Sequence, residues 1–218
     1  MYKTLVINAH PDYKNRQHNS TRLEDYTVRQ LQQRFSETEV TVLNLYEETI
    51  PQINETTYEI YRKNAACIDL TAEEQAIFER STALLKQFKD HHRIIISSPL
   101  HNFNITARLK DYLDNVMIAR EVYRYTESGS VGLMTDDYKV LYLQSSGSIY
   151  TNQDRYTPLE FSTNYLREMF ENIMAFDKFY VARAQGTDLL GADKEQIFTT
   201  AQAEVDRILE VFFTKETK

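Results

Sequence analysis

Short runs of β-forming residues alternate along this chain with stretches of helical spacing, and that alternation restricts its fold more than any other feature. The runs are Thr4–Asn8, Glu39–Leu45, Arg93–Ser97, Lys139–Leu143 and Lys178–Ala182. Leu5-Val6-Ile7, Ile94-Ile95-Ile96 and Val140-Leu141-Tyr142-Leu143 are continuously apolar, so those strands need cover on both faces. Between the runs, apolar residues recur at helical spacing. The first stripe is Leu23, Thr27, Leu31 and Phe35 with Val28 alongside, the second Ile77, Leu84, Leu85 and Phe88. Leu109, Leu113, Val116 and Met117 make the third, Phe161, Tyr165, Met169, Phe170 and Ile173 the fourth, and Ile197, Ala201, Val205, Ile208 and Phe212 the fifth. Thr21-x-x-Glu24, Thr71-x-x-Glu74 and Thr157-Pro158-x-Glu160 read as capping boxes that start three of the helices. The expected fold class is α/β: a doubly wound, five-stranded parallel sheet of flavodoxin-like order 2-1-3-4-5. Tyr46–Leu70 and Glu121–Asp137 exceed what bare alternation needs, and ordered connections of that length tend to be functional.

Composition narrows the class. With five glycines and four prolines in 218 residues, no segment reads as a linker, so residues 1–218 are expected to form a single domain. The lone Cys67 excludes a disulfide framework and a cysteine-rich zinc site. The net charge of −7 has no basic block within it, which argues against a nucleic-acid partner. No apolar run is long enough to span a membrane. Met1-Tyr2-Lys3-Thr4-Leu5-Val6 leads straight into a strand without the layout of a leader, so the expected location is cytoplasmic.

In an open α/β sheet, ligands bind beyond the carboxyl ends of the strands where strand order reverses. For this order that point lies between the first and third strands, with the fourth adjacent, so three loops bear on function. The first, Ala9–Ser20, runs into a helix N-terminus, whose free amides favour an anion. Asn19, Ser20 and Thr21 add donors there, and Lys14, Arg16 and His18 are nearby cations or donors. Without glycine the loop is neither a dinucleotide fingerprint nor a Walker cradle. On its own it is better explained by an ordinary helix cap in a solvated loop. The second, Ser98–Asn104, bends at Pro99, and Asn102 and Asn104 can present donors and acceptors to a heterocycle edge; equally, Asn104 can be a plain helix cap and Phe103 core. The third, Gln144–Asn152, carries Gly147, where a flat ring can approach the backbone. Taken together, three polar loops with aromatic edges suit a flat, phosphorylated cofactor.

Pro99-Leu100-His101-Asn102-Phe103-Asn104-Ile105, followed by Leu109-Lys110-x-Tyr112-x-Asp114, and then Arg124-Tyr125-Thr126-Glu127-x-Gly129-x-x-Gly132-Leu133, resemble stretches of the FMN-dependent NADH:quinone oxidoreductases. That family is also called the NADH-azoreductases and was formerly labelled acyl carrier protein phosphodiesterase. The resemblance implies a homodimer with an FMN in each subunit near the interface. It implies that His10, His18, Asn19 and Ser20 meet the FMN phosphate and that Leu100, His101, Asn102 and Phe103 carry the isoalloxazine. Ser145, Ser146, Gly147, Ser148 and Tyr150 would close its other side, with Phe103 and Tyr125 on the substrate side. The chain departs from the family pattern where His18-Asn19 replaces a common serine and glutamine. It departs again in the third loop, where Ser146 and Ser148 replace an arginine and a second glycine.

The expected function is transfer of two electrons from NADH or NADPH to quinones and aromatic azo compounds at one shared site, hence by ping-pong kinetics. The hydride chemistry belongs to the flavin, so no catalytic side chain and no metal is expected. Two alternatives stand beside it. One is a non-enzymatic flavin-binding electron-transfer or regulatory module. The other is a zinc-dependent deacetylase, because His10-Pro11-Asp12 resembles the opening of zinc-dependent sugar deacetylases, although Tyr13 stands where they carry a second aspartate.

Overall fold

A computed structural model of the chain describes residues 2–214; Met1, where the reading of the N-terminal segment begins, and residues 215–218 lie outside the described residues. In chain order the first half comprises β1 (Thr4–Asn8), α1 (Asn19–Arg34), β2 (Val40–Asn44), α2 (Glu55–Ala65), α3 (Ala72–Asp90) and β3 (Arg93–Pro99). The second half comprises α4 (Ala107–Val116), β4 (Tyr123–Thr126), β5 (Gly129–Gly132), β6 (Lys139–Ser146), α5 (Phe161–Arg167), β7 (Lys178–Gln185) and α6 (Lys194–Phe212). The main sheet is parallel in the order β2-β1-β3-β6-β7, which is 2-1-3-4-5 counted over its own strands. Among the described residues no helix is long and apolar enough to cross a membrane.

The continuously apolar strands serve two cores. Leu5, Ile7, Ile94, Ile96, Val140 and Tyr142 face Leu84, Phe88, Leu109, Leu113 and Phe170, from α3, α4 and the helical segment after α5. Val6, Ile95, Leu141 and Leu143 face the other way, onto Leu23 and Leu31 of α1 and Ala201, Val205, Ile208 and Phe212 of α6. Helices α1 and α4, which follow the adjacent strands β1 and β3, therefore leave the sheet on opposite faces and open a crevice between the strand ends.

Each fully buried aliphatic or aromatic side chain contributes about 1.5–3 kcal/mol, against about 1 kcal/mol for a helix cap. Burial therefore sets where helices begin, and two of the three expected capping boxes are corrected on that account. Helix α1 starts two residues earlier than Thr21, with His18 in extended conformation at its head and no side-chain cap. Thr21 and Glu24 are buried inside the helix, with Thr21 donating to the Asn15 and His18 carbonyls. Thr157–Leu159 is a separate 3₁₀ turn, and Glu160 caps α5 by accepting from the Thr163 amide at 3.0 Å. Phe161, expected in the apolar stripe, is consequently exposed at the helix start. The Thr71–Glu74 box forms as read, as does an Asn54–Thr57 box that opens α2 within the long connection. The other long connection contains the β4–β5 hairpin.

Two buried cations hold the opposite rim. Arg93 and Lys139 are register partners at the amino ends of β3 and β6, and both are fully buried. Arg93 Nε donates to the Phe212 carbonyl at 2.6 Å, and Lys139 Nζ donates to the Val211 and Thr214 carbonyls at 3.2 and 2.6 Å. Both thus complement the carbonyl end of α6. Asp137 supplies the countercharge at 2.9 Å from Arg93, whose guanidinium also lies 3.8 Å from the Tyr2 ring centroid. Burial pushes the Asp137 carboxyl up, but hydrogen bonds from Tyr2 and Arg93 outweigh it and leave the group below its ordinary range. The depressed pKa means that its stabilisation is complete above the unfolded-state pKa and is lost as pH falls through the folded one. Asp137→Asn should cost about 2–4 kcal/mol at pH 7, since it strands buried charge. In urea titrations the gap between wild type and variant should stay constant above about pH 5 and narrow below about pH 4; a gap that widens on acidification would contradict the assignment.

Candidate functional site

Four hydrogen bonds stitch the carboxyl-end rim together. The Ala9 amide donates to the Ser97 carbonyl at 2.8 Å and the Thr106 hydroxyl to the Ala9 carbonyl at 3.1 Å. The Ser97 hydroxyl donates to the Ser20 carbonyl at 3.0 Å, and the Leu100 amide to the Ser145 carbonyl at 2.7 Å. All three loops singled out from sequence therefore share one rim at the β1–β3 switch point.

In the first loop the His10 amide donates to Asn8 Oδ1 at 2.9 Å, which turns the chain off the end of β1. The His10 and His18 rings stack with centroids 4.1 Å apart, and His18 Nε2 lies 2.9 Å from Asp12 Oδ2. Burial, then the proximity of His18, lowers the His10 pKa. Helix α1 begins behind this pair with Asn19 half-buried and Ser20 fully buried, and the Ser20 hydroxyl has no hydrogen-bond partner among the described residues. Arg16 is not available to an anion. Its guanidinium is engaged by Asp25, by Glu24 at 2.9 Å and by the Tyr13 carbonyl at 3.1 Å. Glu24 is buried and burial raises its pKa, so Arg16 serves as its countercharge.

The second loop is a tight hairpin-like turn. His101 and Asn104 exchange backbone hydrogen bonds of 2.9 and 3.0 Å, and both central residues are left-handed: Asn102 at φ 46° and Phe103 at φ 68°. Asparagine tolerates that conformation, whereas phenylalanine adopts it at a cost of about 1–2 kcal/mol. The turn holds His101, Asn102 and Phe103 out from the rim, all exposed, with Leu100 half-buried behind them. Thr106, not Asn104, caps the helix that follows, through the Leu109 amide.

The third loop differs from its expected use in one respect. A Cβ on Gly147 would lie 2.5 Å from Asp188 Oδ2, so the missing side chain makes room for Asp188 after β7 rather than for a ring. The Ser145, Ser146, Gly147 and Ser148 carbonyls all accept from within the protein, and the Ser146 hydroxyl donates to the Ser148 carbonyl at 2.8 Å. The Tyr150 amide donates to Gln185 Oε1 at 3.0 Å, which places its ring edge-on to Phe103 with centroids 6.3 Å apart. Tyr156 extends the row, 6.3 Å from Tyr150, with the Arg155 guanidinium 4.7 Å above its own ring. Sequence reasoning missed Tyr156; an aromatic six residues after Tyr150 in a polar loop carries no periodic signal. Tyr125 stands apart on β4, 74% exposed, and its ring meets Tyr123.

The rim thus offers what a planar group with an anionic tail requires: an uncapped helix start with a buried, unpartnered hydroxyl, two imidazoles beside it, and an aromatic wall on a strained turn. A cavity of about 390 Å³ between β7 and α6 includes none of the predicted site residues. Residues 2–209 match the family of flavodoxin-like fold. The FMN-dependent NADH:quinone oxidoreductase 1 of Lactiplantibacillus plantarum is 51% identical over 98% of this chain and 100% of its own, and the Streptococcus agalactiae enzyme of that name is 43% identical over 98% and 99%. The crystal structure of a Bacillus anthracis FMN-dependent NADH-azoreductase in complex with FMN superposes with a TM-score of 0.93 at 39% identity, covering 98% of this chain and 100% of that one. By fold, sequence and the layout of its rim, the chain belongs to the flavodoxin-like family that contains these FMN-dependent oxidoreductases.

Proposed function

We propose that the protein is an FMN-dependent NADH:quinone oxidoreductase that also reduces aromatic azo compounds. The observation that carries this reading is the convergence of three loops on an open rim at the β1–β3 switch point, in a chain half identical to an enzyme of that name. The FMN phosphate would be held by the Asn19 and Ser20 amides, the Ser20 hydroxyl, His10 and His18. Leu100, His101, Asn102 and Phe103 would support the ring, and Ser145, Ser146, Gly147, Ser148 and Tyr150 would close its other edge. FMN, when bound, supplies the two-electron hydride chemistry. The protein's part is orientation: Phe103 and Tyr150 form an apolar wall that admits flat nicotinamides and flat acceptors in turn.

The exposed apolar groups on the β4–β5 hairpin and beside the rim, Tyr125, Val131, Leu133 and Phe161, support a homodimer in which a second copy covers them beside the rim. A cytoplasmic location accords with the absence of a spanning helix among the described residues. The deacetylase reading gains no support. His10 Nδ1 accepts from the Asp12 amide, and among the described residues no three His, Cys, Asp or Glu side chains gather as metal ligands. The non-enzymatic module is separated from the enzyme by turnover alone.

The purified protein should absorb near about 375 and 450 nm, as protein-bound flavins do, and lose the longer band on adding NADH without air. Parallel double-reciprocal lines for NADH and a quinone are then expected, whereas intersecting lines would refute a shared site. A flavin-loaded sample inert to NADH would favour the non-enzymatic module. Phe103→Ala should lower quinone kcat/KM by about 5–30-fold, the equivalent of about 1–2 kcal/mol of aromatic contact, with Phe103→Tyr near wild type. Equal losses in both variants would point to the turn's backbone rather than to the ring.

A further inference from the structure

The stacked histidines of the first loop are not equivalent. The Asp12 amide donates to His10 Nδ1 at 3.0 Å, so His10 carries its proton on Nε2 and is held neutral. His18 Nε2 faces Asp12 Oδ2, which only accepts, so that nitrogen carries a proton and the lone pair of the neutral ring falls on Nδ1. The hydrogen bond from His18 holds the Asp12 carboxyl below its ordinary range, so it stays ionised beside the ring. The pair lies at the start of α1, where the Ser20 hydroxyl is buried without a partner among the described residues.

We propose that FMN binds together with a proton taken from solvent at His18 Nδ1, so that its phosphate dianion meets a neutral donor, His10, and a stacked imidazolium, His18. This rests on the phosphate assignment made above. The N–H bond forms on His18 as the solvent or buffer gives up the proton, and His10 keeps its Nε2 proton throughout. The charged groups around the pair fit that division. On the loop, the Asp12 carboxylate faces His18 Nε2, while Arg16, whose charge bears on His10, is neutralised by Glu24 and Asp25 of α1. The neighbouring strands contribute Asn8 and Ser97, and α4 reaches the loop through Thr106; none of these titrates. The amide locked onto His10 Nδ1 limits the stack to a single added charge, which avoids two imidazolium rings in contact.

The test is calorimetric titration of the flavin-free protein with FMN and with riboflavin, between about pH 7 and 8.5, where a phosphate monoester is already a dianion and an ordinary histidine is mostly uncharged. Buffers of differing ionisation enthalpy report the protons exchanged. The expected result is net proton uptake with FMN and a Kd that weakens by up to about tenfold per pH unit on raising the pH, with neither effect for riboflavin. His18→Asn, which leaves a good capping residue at the head of α1, should remain folded by circular dichroism, bind FMN more weakly at pH 7, and show a flat Kd without uptake. His10→Asn should weaken binding at every pH yet retain the uptake. A pH-independent FMN Kd in the wild type, uptake that survives in His18→Asn, or uptake lost in His10→Asn alone would each overturn the proposal. Failure of FMN to bind at any pH would overturn the flavin assignment beneath it as well.

Discussion

The parallel pairing of β1 with β3 is the constraint on which the rest of the molecule depends. Because their apolar runs are continuous, both strands must be covered on both faces, and the chain meets that need by sending α1 to one face and α4 to the other. The helices that leave Asn8 and Ser97, neighbours in the sheet, therefore diverge. A crevice at that rim follows from the packing, before any residue in it is specified. The hydrogen bonds of Ala9, Ser97, Thr106 and Leu100 then fix the loops to one another, so the rim is held by the sheet beneath it.

The two ends of the sheet handle charge in opposite ways. At the amino rim, Arg93 and Lys139 are buried among the last carbonyls of α6 with Asp137 as their counterion, an arrangement that closes the end and leaves the helix terminus satisfied. At the carboxyl rim, α1 starts without a side-chain cap, the Ser20 hydroxyl is buried without a partner among the described residues, and the Arg16 guanidinium is spent on Glu24 and Asp25. An open helix start at one end, and buried charge spent on a helix terminus at the other, are what a binding rim and a structural rim look like in the same fold.

The strand positions, sheet order and main core stripes were legible in the sequence because each rests on many buried side chains, whose summed burial leaves few alternatives. Helix starts were less so. The Thr21–Glu24 and Thr157–Glu160 patterns have capping-box spacing, yet burial of Leu23 and Glu24 and the 3₁₀ turn at Thr157–Leu159 decided otherwise. Within the rim, the residue sets of the three loops could be chosen from strand order, but their roles could not. That Gly147 accommodates Asp188, that Arg16 pairs with Glu24, and that Tyr156 joins Phe103 and Tyr150 all depend on contacts between segments distant in the chain or on loop conformations without periodicity. Asn102 gave a partial signal, since asparagine tolerates left-handed backbone; Phe103 gave none, and its φ of 68° is a strain that only the finished rim sustains.

A crystal structure of the protein with FMN bound tests the central claim most directly. The account predicts phosphate density against the Asn19 and Ser20 amides and the two imidazoles, and ring density between the turn at Leu100–Phe103 and the loop at Ser145–Ser148. FMN seated elsewhere, for instance in the cavity between β7 and α6, would contradict it.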